Sequence, residues 1–210
     1  MVEIIAIDGP ASVGKSTLAK KISQYYNSPL LHSGKLYRAI ALEIKTKNIN
    51  LNDKDRIINF AKNFNKSVLD SNELFSNELD KIASLISAKK YLRDQLLTYQ
   101  REFPKKYAKG KKYTIMEGRD IGTEIFPDAK FKIFMWADPV IRAKRRYNQI
   151  IKKGQKARLR RIYDDIITRD KRDLNRKIAP LRPAANSVLL DTSYLDIEQS
   201  FRAINKILKH

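Results

Sequence analysis

The stretch Gly9-Pro10-Ala11-Ser12-Val13-Gly14-Lys15-Ser16-Thr17 gathers residue types that can hold phosphate. Glycines let the main chain curl so that several N–H groups point inward and cradle phosphate oxygens. Lys15 adds a mobile positive charge for β- and γ-phosphates, and the Ser16 hydroxyl is an oxygen ligand suited to Mg²⁺. The spacing is G-x-x-x-x-G-K-[ST]. A glycine turn followed by an incidental lysine would share it, so the flanks decide. Val2-Glu3-Ile4-Ile5-Ala6-Ile7 has the pattern of an apolar strand, and Leu18, Ile22 and Tyr25 or Tyr26 recur at helical spacing over residues 16–26. A helix opening there aims its positive end at the same point. The segment reads as a binder of nucleoside triphosphate.

Three further groups could act on anions. Arg169, Asp173 and Arg176 stand at i, i+4 and i+7 of a helical pattern over 159–176, which puts them on one face within roughly 60°. Such a stripe can hold a phosphate between two guanidiniums and leave a carboxylate for a base or sugar. Ion pairing on an exposed helix would explain the same spacing, but beside a phosphate loop the site reading is preferred. Ser33 and Arg38 follow a short strand over 29–32, at the carboxyl end where a small anionic ligand would sit. A strand over 113–116 delivers Glu117-Gly118-Arg119-Asp120-Ile121-Gly122-Thr123. A carboxylate behind a Mg²⁺ ion is expected at that position, either Glu117 or Asp120.

The elements that must position these residues follow in order. A helix over 35–45 carries Leu36, Ile40 and Ile44 on one face. Residues 46–55 are polar and asparagine-rich and read as a connection, and 46–80 as a whole reads as an insertion with little core of its own. A helix is expected over 57–64, and a small hairpin pairs 67–69 with 73–75. Residues 78–100 are helical with a break at Lys89-Lys90, and carry Ser84 and Arg93. The basic run 101–112, with Pro104 and Gly110, reads as a loop. After a turn at Phe126-Pro127-Asp128-Ala129 come a buried strand over 130–137, a basic helix from Pro139 to about 152, and the helix bearing Arg169. A strand over 187–192 and a helix with Ile197, Phe201, Ile204 and Leu208 on one stripe close the chain. The alternation describes an α/β fold, a doubly wound parallel sheet with helices on both faces.

Composition narrows the chemistry. Cysteine is absent, which excludes disulfides, thiolate metal sites and a thiol nucleophile. Two histidines argue against a multi-histidine metal site. No apolar run approaches the roughly 18–20 residues that span a bilayer, and residues 1–7 read as a core strand rather than a leader. A soluble protein of a reducing, cytoplasmic compartment is expected. The net charge of +20 implies anionic company, and residues 141–182 hold sixteen Lys and Arg against four Asp. An RNA-binding protein could use such a block, but Tyr147 and Tyr163 are its only aromatic residues and no RNA-module signature is present.

The chain resembles the bacterial-type cytidylate kinases of the nucleoside monophosphate kinase superfamily from one end to the other. The resemblance is carried by the phosphate loop with Ile7-Asp8 before it, Ser33-Gly34-Lys35-Leu36-Tyr37-Arg38, Gly118-Arg119-Asp120-Ile121-Gly122-Thr123 with Phe126-Pro127-Asp128-Ala129, Arg169-Asp170-Lys171-Arg172-Asp173, Asn175-Arg176 and Ala179-Pro180-Leu181. It implies a P-loop NTPase-type domain over 1–210, with a small monophosphate-binding insertion near 34–100 and a helical lid near 146–170. It implies transfer of phosphoryl from ATP to CMP or dCMP with Mg²⁺, by a monomer that requires neither nucleic acid nor membrane. By the same resemblance, Ser33, Arg38, Ser84, Arg93, Arg119, Arg169, Asp173 and Arg176 hold the monophosphate, with Ser84 facing cytosine and Asp173 the sugar. Lys15, Arg119, Asp120 and Arg169 are the implied catalytic set. Arg145, Arg146 and the segment 153–161 would cover the ATP held by residues 9–17. Three features depart from the family pattern: Glu117 stands where aspartate is usual, the insertion lacks an Ile-Arg pair before the helix bearing Ser84, and Tyr91 occupies a stretch that often carries proline.

Overall fold

The computed structural model describes residues 2–64, 66–74 and 76–209. Among the described residues five strands form one parallel sheet: β1 (Glu3–Asp8), β2 (Leu30–His32), β3 (Tyr113–Gly118), β4 (Phe131–Trp136) and β5 (Val188–Asp191), in the order β2-β3-β1-β4-β5. β1 pairs with β3 from Glu3↔Tyr113 to Asp8↔Gly118 and with β4 from Ile5↔Phe131 to Asp8↔Phe134. The carboxyl ends of β1 and β3 therefore lie side by side. With β2 on one side and β4 on the other, β1 and β3 point in one direction, and ligand-binding loops gather at that edge.

One face of the sheet is covered by α1 (Lys15–Tyr25) and α8 (Ile197–Leu208), whose Leu18, Ala19, Ile22, Phe201 and Ile204 pack on Ile5, Ile7, Ile115, Ile133 and Met135. On the other face Ala6, Leu31 and Met116 meet Phe103, Ile121, Ile125 and Ala129. Helix starts follow local chemistry. Asp196 and Gln199 form a reciprocal cap on α8. Asp138 accepts from the N–H groups of Val140 and Ile141, with Pro139 as first residue of α6 (Pro139–Lys152).

The insertion contains α2 (Ser33–Thr46), α3 (Lys54–Asn63), α4 (Asn77–Ile86) and α5 (Lys90–Tyr107). Residues 46–80 have little core of their own, as the sequence suggests, and share one with the helices on either side. Ile57, Ala61 and Leu79, thinly spread along the chain, close on Leu36, Ile40, Ile44, Leu92 and Leu96. The expected hairpin is absent where it can be assessed: Lys66–Asp70 and Asn72–Leu74 are tight helical turns, and Phe75 lies outside the described residues. The first part of the basic run 101–112, expected as a loop, is helical, whereas 108–112 is not. α5 continues to Tyr107 through Pro104, because the buried series Leu92, Leu96, Gln100 and Phe103 continues and its packing outweighs the backbone bond that proline removes. Arg101 fastens this last part by donating to the carbonyls of Glu124 and Ile125, each at 3.1 Å. Those carbonyls belong to a single wide helical turn, Ile121–Ile125, that the sequence did not suggest.

α6 and α7 (Leu159–Asn175) form an arm held by Ala143, Ile150, Ile162 and Ile166. α7 ends at Asn175, so Arg176 is the residue after the helix and has an extended backbone.

Gly9 is where this architecture tolerates no side chain. Its φ is +147°, and a Cβ would stand 2.2 Å from the carbonyl oxygen of Met135 on β4. Gly9→Ala is therefore expected to destabilise the protein by about 3 kcal/mol or more, seen as a lower urea midpoint with unchanged slope. Gly110→Ala, with open space around its Cβ, pays only the cost of its positive φ.

Candidate active site

The phosphate loop, the carboxyl ends of β2 and β3, and faces of α4 to α7 surround a cavity of about 960 Å³. Lys15 is buried at the start of α1 and donates to the Pro10 carbonyl at 2.7 Å. Burial first, and then the nearby Arg119, push the Lys15 ammonium well below its usual pKa. Ser16 donates to Glu117 Oε1 at 3.0 Å, and His32 Nδ1 meets the same oxygen at 2.9 Å. Burial works to raise Glu117, but the hydrogen bond from His32 and the charge of Lys15 outweigh it and hold the carboxyl at about 2. A hydroxyl paired with an ionised carboxylate is a hard oxygen set that fits Mg²⁺. Asp120, the alternative for this place, is engaged elsewhere: it pairs with Arg93, and Arg176 lies 3.8 Å away.

Arg119 donates through Nη1 to the Gly9 carbonyl at 2.8 Å and through Nε to Asp173 at 3.1 Å. Arg169 reaches Asp173 at 3.9 Å. Burial, reinforced by Arg119, lowers Arg169 to about 10. Arg176 donates to the Ala179 carbonyl at 2.6 Å and to Ser87 Oγ at 3.4 Å. Ser33 accepts from Gln100 at 2.7 Å, and Ser84 accepts from Arg172 at 3.0 Å. Arg38 and Arg146 both face Asp80 on α4, at 2.7 and 3.6 Å. Arg145 binds carbonyls of Val13, Thr192 and Leu195, which ties α6 to the phosphate loop and to the turn after β5.

Of the residues singled out in the sequence, Ala11, Ser12, Val13, Gly14, Lys15, Ser16, Thr17, Ser33, Arg38, Ser84, Arg93, Glu117, Arg119, Asp120, Arg145, Arg146, Arg169, Asp173 and Arg176 all line this one cavity. Ser84 and Arg93 turn into it from helices of the insertion. Gly9 and Pro10 are not on its wall, and neither is the segment 153–161, which protrudes at the tip of the arm and is almost wholly exposed.

Sequence reasoning missed several participants. Asp80 lies one helical turn before Ser84, a spacing that could have suggested a shared face. Asp8 closes β1 and accepts from the N–H groups of Ile121 and Gly122 at 2.9 and 2.8 Å, which holds the loop bearing Arg119 and Asp120. Arg142, four residues before Arg146, is buried and donates to the carbonyls of Ala137 and Ala11 and to Asp170, the last at 2.6 Å. It clamps the phosphate loop to α7.

Comparison with known proteins agrees with this geometry. The family model described as cytidylate kinase matches residues 5–210. A cytidylate kinase of Bradyrhizobium sp. (strain ORS 278) is 42% identical over 98% of this chain and 95% of its own length. The chain belongs to the cytidylate kinase family. A second member, from Bartonella tribocorum, is 43% identical over 94% of this chain and 90% of its own. Among solved structures, shikimate kinase from Bacteroides thetaiotaomicron superposes with a TM-score of 0.51 at 16% identity, covering 99% of both chains. That likeness concerns the P-loop kinase fold. The cytidylate kinase family membership makes the chain a kinase, and the cavity is its candidate catalytic centre. No helix among the described residues is long and apolar enough to cross a membrane.

Two expectations follow from the buried charges. Arg142→Met should destabilise by about 3 kcal/mol, since it leaves Asp170 without its partner in a mostly buried place. Arg160→Met, which breaks an exposed pair with Asp164, should change stability by less than about 0.5 kcal/mol in the same urea titration. Burial raises Asp8 from 3.8 to about 7 against its two backbone donors. The native state thus binds this proton more tightly than the unfolded chain, and Asp8 makes stability fall as pH rises from about 4 to about 7. Asp8→Asn should remove that component of the slope, read from unfolding free energies at pH 5 and 8.

Proposed function

We propose that this chain transfers the γ-phosphoryl group of ATP to CMP or dCMP with the aid of Mg²⁺. The observation that carries the reading is the convergence of Arg38, Arg119, Arg169 and Arg176 on one cavity beside Lys15. A site with so many cations is built for more than one phosphate group, and membership of the cytidylate kinase family supplies the acceptor.

In this reading residues 9–17 cradle the donor phosphates through backbone N–H groups and the Lys15 ammonium. Ser16 would hold Mg²⁺ directly, with Glu117 behind it, and the ion when bound neutralises phosphate charge. Ser33, Arg38, Arg93, Arg119, Arg169 and Arg176 receive the monophosphate, while Ser84 faces the base and Asp173 the sugar hydroxyls. Asp120 keeps Arg93 and Arg176 in place. A phosphate oxygen of the acceptor attacks the γ-phosphorus in line, the bond to the β–γ bridging oxygen breaks, and ADP leaves. Charge spreads over the equatorial oxygens in a loose transition state, so catalysis is positioning and electrostatic stabilisation without a covalent intermediate. The forked guanidinium suits this task, being always charged and able to bind phosphate by two bonds. Residues 34–100 serve as the acceptor-binding insertion, and the arm near 146–170, with Arg145 and Arg146 at its base, closes over the donor and excludes water that would hydrolyse it. The enzyme works on small nucleotides, as a cytoplasmic monomer, without nucleic acid or membrane.

The test is a coupled assay of ATP consumption with CMP, dCMP, UMP, AMP and shikimate as acceptors. Turnover with CMP and dCMP well above the others is expected; preference for another acceptor would refute the substrate assignment. Arg119→Ala and Arg169→Ala should each lower kcat/KM for CMP by about 10²–10³-fold with unchanged circular dichroism. Parental rates in either variant would remove that residue from the site.

A further inference from the structure

Asp80 has no place in the reaction scheme above, yet it stands at the centre of the arginine cluster. It enters the cavity from α4, one turn before Ser84. Arg38, on α2, reaches its Oδ1 through both Nε and Nη2, each at 2.7 Å. Arg146 on α6 approaches Oδ2 at 3.6 Å, and Arg169 on α7 approaches Oδ1 at 3.8 Å. One carboxylate thus gathers guanidiniums from three elements, as a bound anion would. The grip is uneven. The contacts from Arg38 are hydrogen bonds, whereas those from Arg146 and Arg169 lie beyond hydrogen-bond distance and rest on charge. Arg169 also keeps its buried Nε without a hydrogen-bond partner.

We propose that Asp80 is a positioning residue of the acceptor-phosphate site, which keeps Arg38 throughout, cedes Arg169 to the incoming acceptor phosphate and releases Arg146 toward the donor. The proposal deepens the kinase reading and rests on its assignment of Arg38 and Arg169 to the monophosphate. Three guanidiniums left alone in a half-open cavity repel one another and splay. The carboxylate holds them together, so the phosphate meets donors already placed. The same charge opposes the substrate, because it repels phosphate and competes for the same N–H groups. Asp80 therefore sets the resting affinity of the cluster for anions below what its arginines would reach, while improving their placement for transfer. The two effects separate kinetically, since a loss of opposed binding lowers KM whereas a loss of placement lowers kcat.

Asp80→Asn keeps the side-chain shape and a carbonyl for Arg38 but removes the charge. Titration calorimetry with inorganic phosphate should give a Kd about tenfold tighter than in the parent, equivalent to about 1.4 kcal/mol. KM for CMP should fall several-fold, and kcat should fall with it. Asp80→Glu, which retains the charge, should leave phosphate affinity within about threefold. If the asparagine variant does not fold, Asp80→Ala is read in the same way, with the same tighter phosphate binding and a larger loss of kcat. An unchanged or weaker phosphate Kd, or a raised KM for CMP, overturns the proposal, and is what a purely structural role would produce. Arg38→Ala separates the two layers of the argument. If it leaves phosphate binding untouched, the acceptor-site assignment fails. If it weakens phosphate while Asp80→Asn changes nothing, only the role of Asp80 fails.

Discussion

Like charges brought close together inside a cavity are the constraint on which this molecule depends. Burial disfavours the charges of Lys15 and Arg169, and the nearby Arg119 adds to the penalty. A folded chain can sustain this only by setting carboxylates among the cations. Glu117 stands by Lys15, Asp173 between Arg119 and Arg169, Asp120 between Arg93 and Arg176, and Asp80 among Arg38, Arg146 and Arg169. The interleaved network remains cationic enough to attract phosphates. It also links the sheet, the insertion and the arm, because every pair but Arg169 with Asp173 joins different elements.

The scaffold sets the cations where the network needs them. Parallel pairing in register places the ends of β1 and β3 together, so the phosphate loop and the Glu117–Asp120 stretch emerge side by side. Asp8 then binds two N–H groups of the turn after β3, and Arg142 binds the phosphate loop from the far side. Buried polar groups of this kind are costly unless satisfied. Here they are satisfied by main-chain atoms of the loops that carry the site, which makes loop geometry part of the core. The arm has only a small apolar seam of its own.

Much of the fold was legible in the chain. Strong local signals were reliable: the phosphate loop between an apolar strand and an amphipathic helix, the proline that opens α6, the single stripe of α8, and the break between α4 and α5. The insertion core was not legible, since Ile57, Ala61 and Leu79 are isolated within polar surroundings and become a core only when α2 and α5 close on them. The helix through Pro104 was missed because a proline within a basic run is a stop signal locally, and the burial of the adjacent Phe103 against the sheet has no local sign.

The sequence by itself determined the chemistry available: a phosphate loop, an excess of basic residues, no thiol, and motifs that resemble cytidylate kinases. Residue types and short spacings are properties of the chain, so no folding was needed to read them. Which carboxylate meets which cation was decided only by tertiary structure. Asp120 joins Arg93 and Arg176 rather than Ser16, and Asp80 gathers arginines from 42 residues before it and from two helices far after it. Such partnerships join segments whose separation along the chain carries no information about their distance in space. They arise when the sheet register and the apolar faces of the helices bring distant side chains to one cavity.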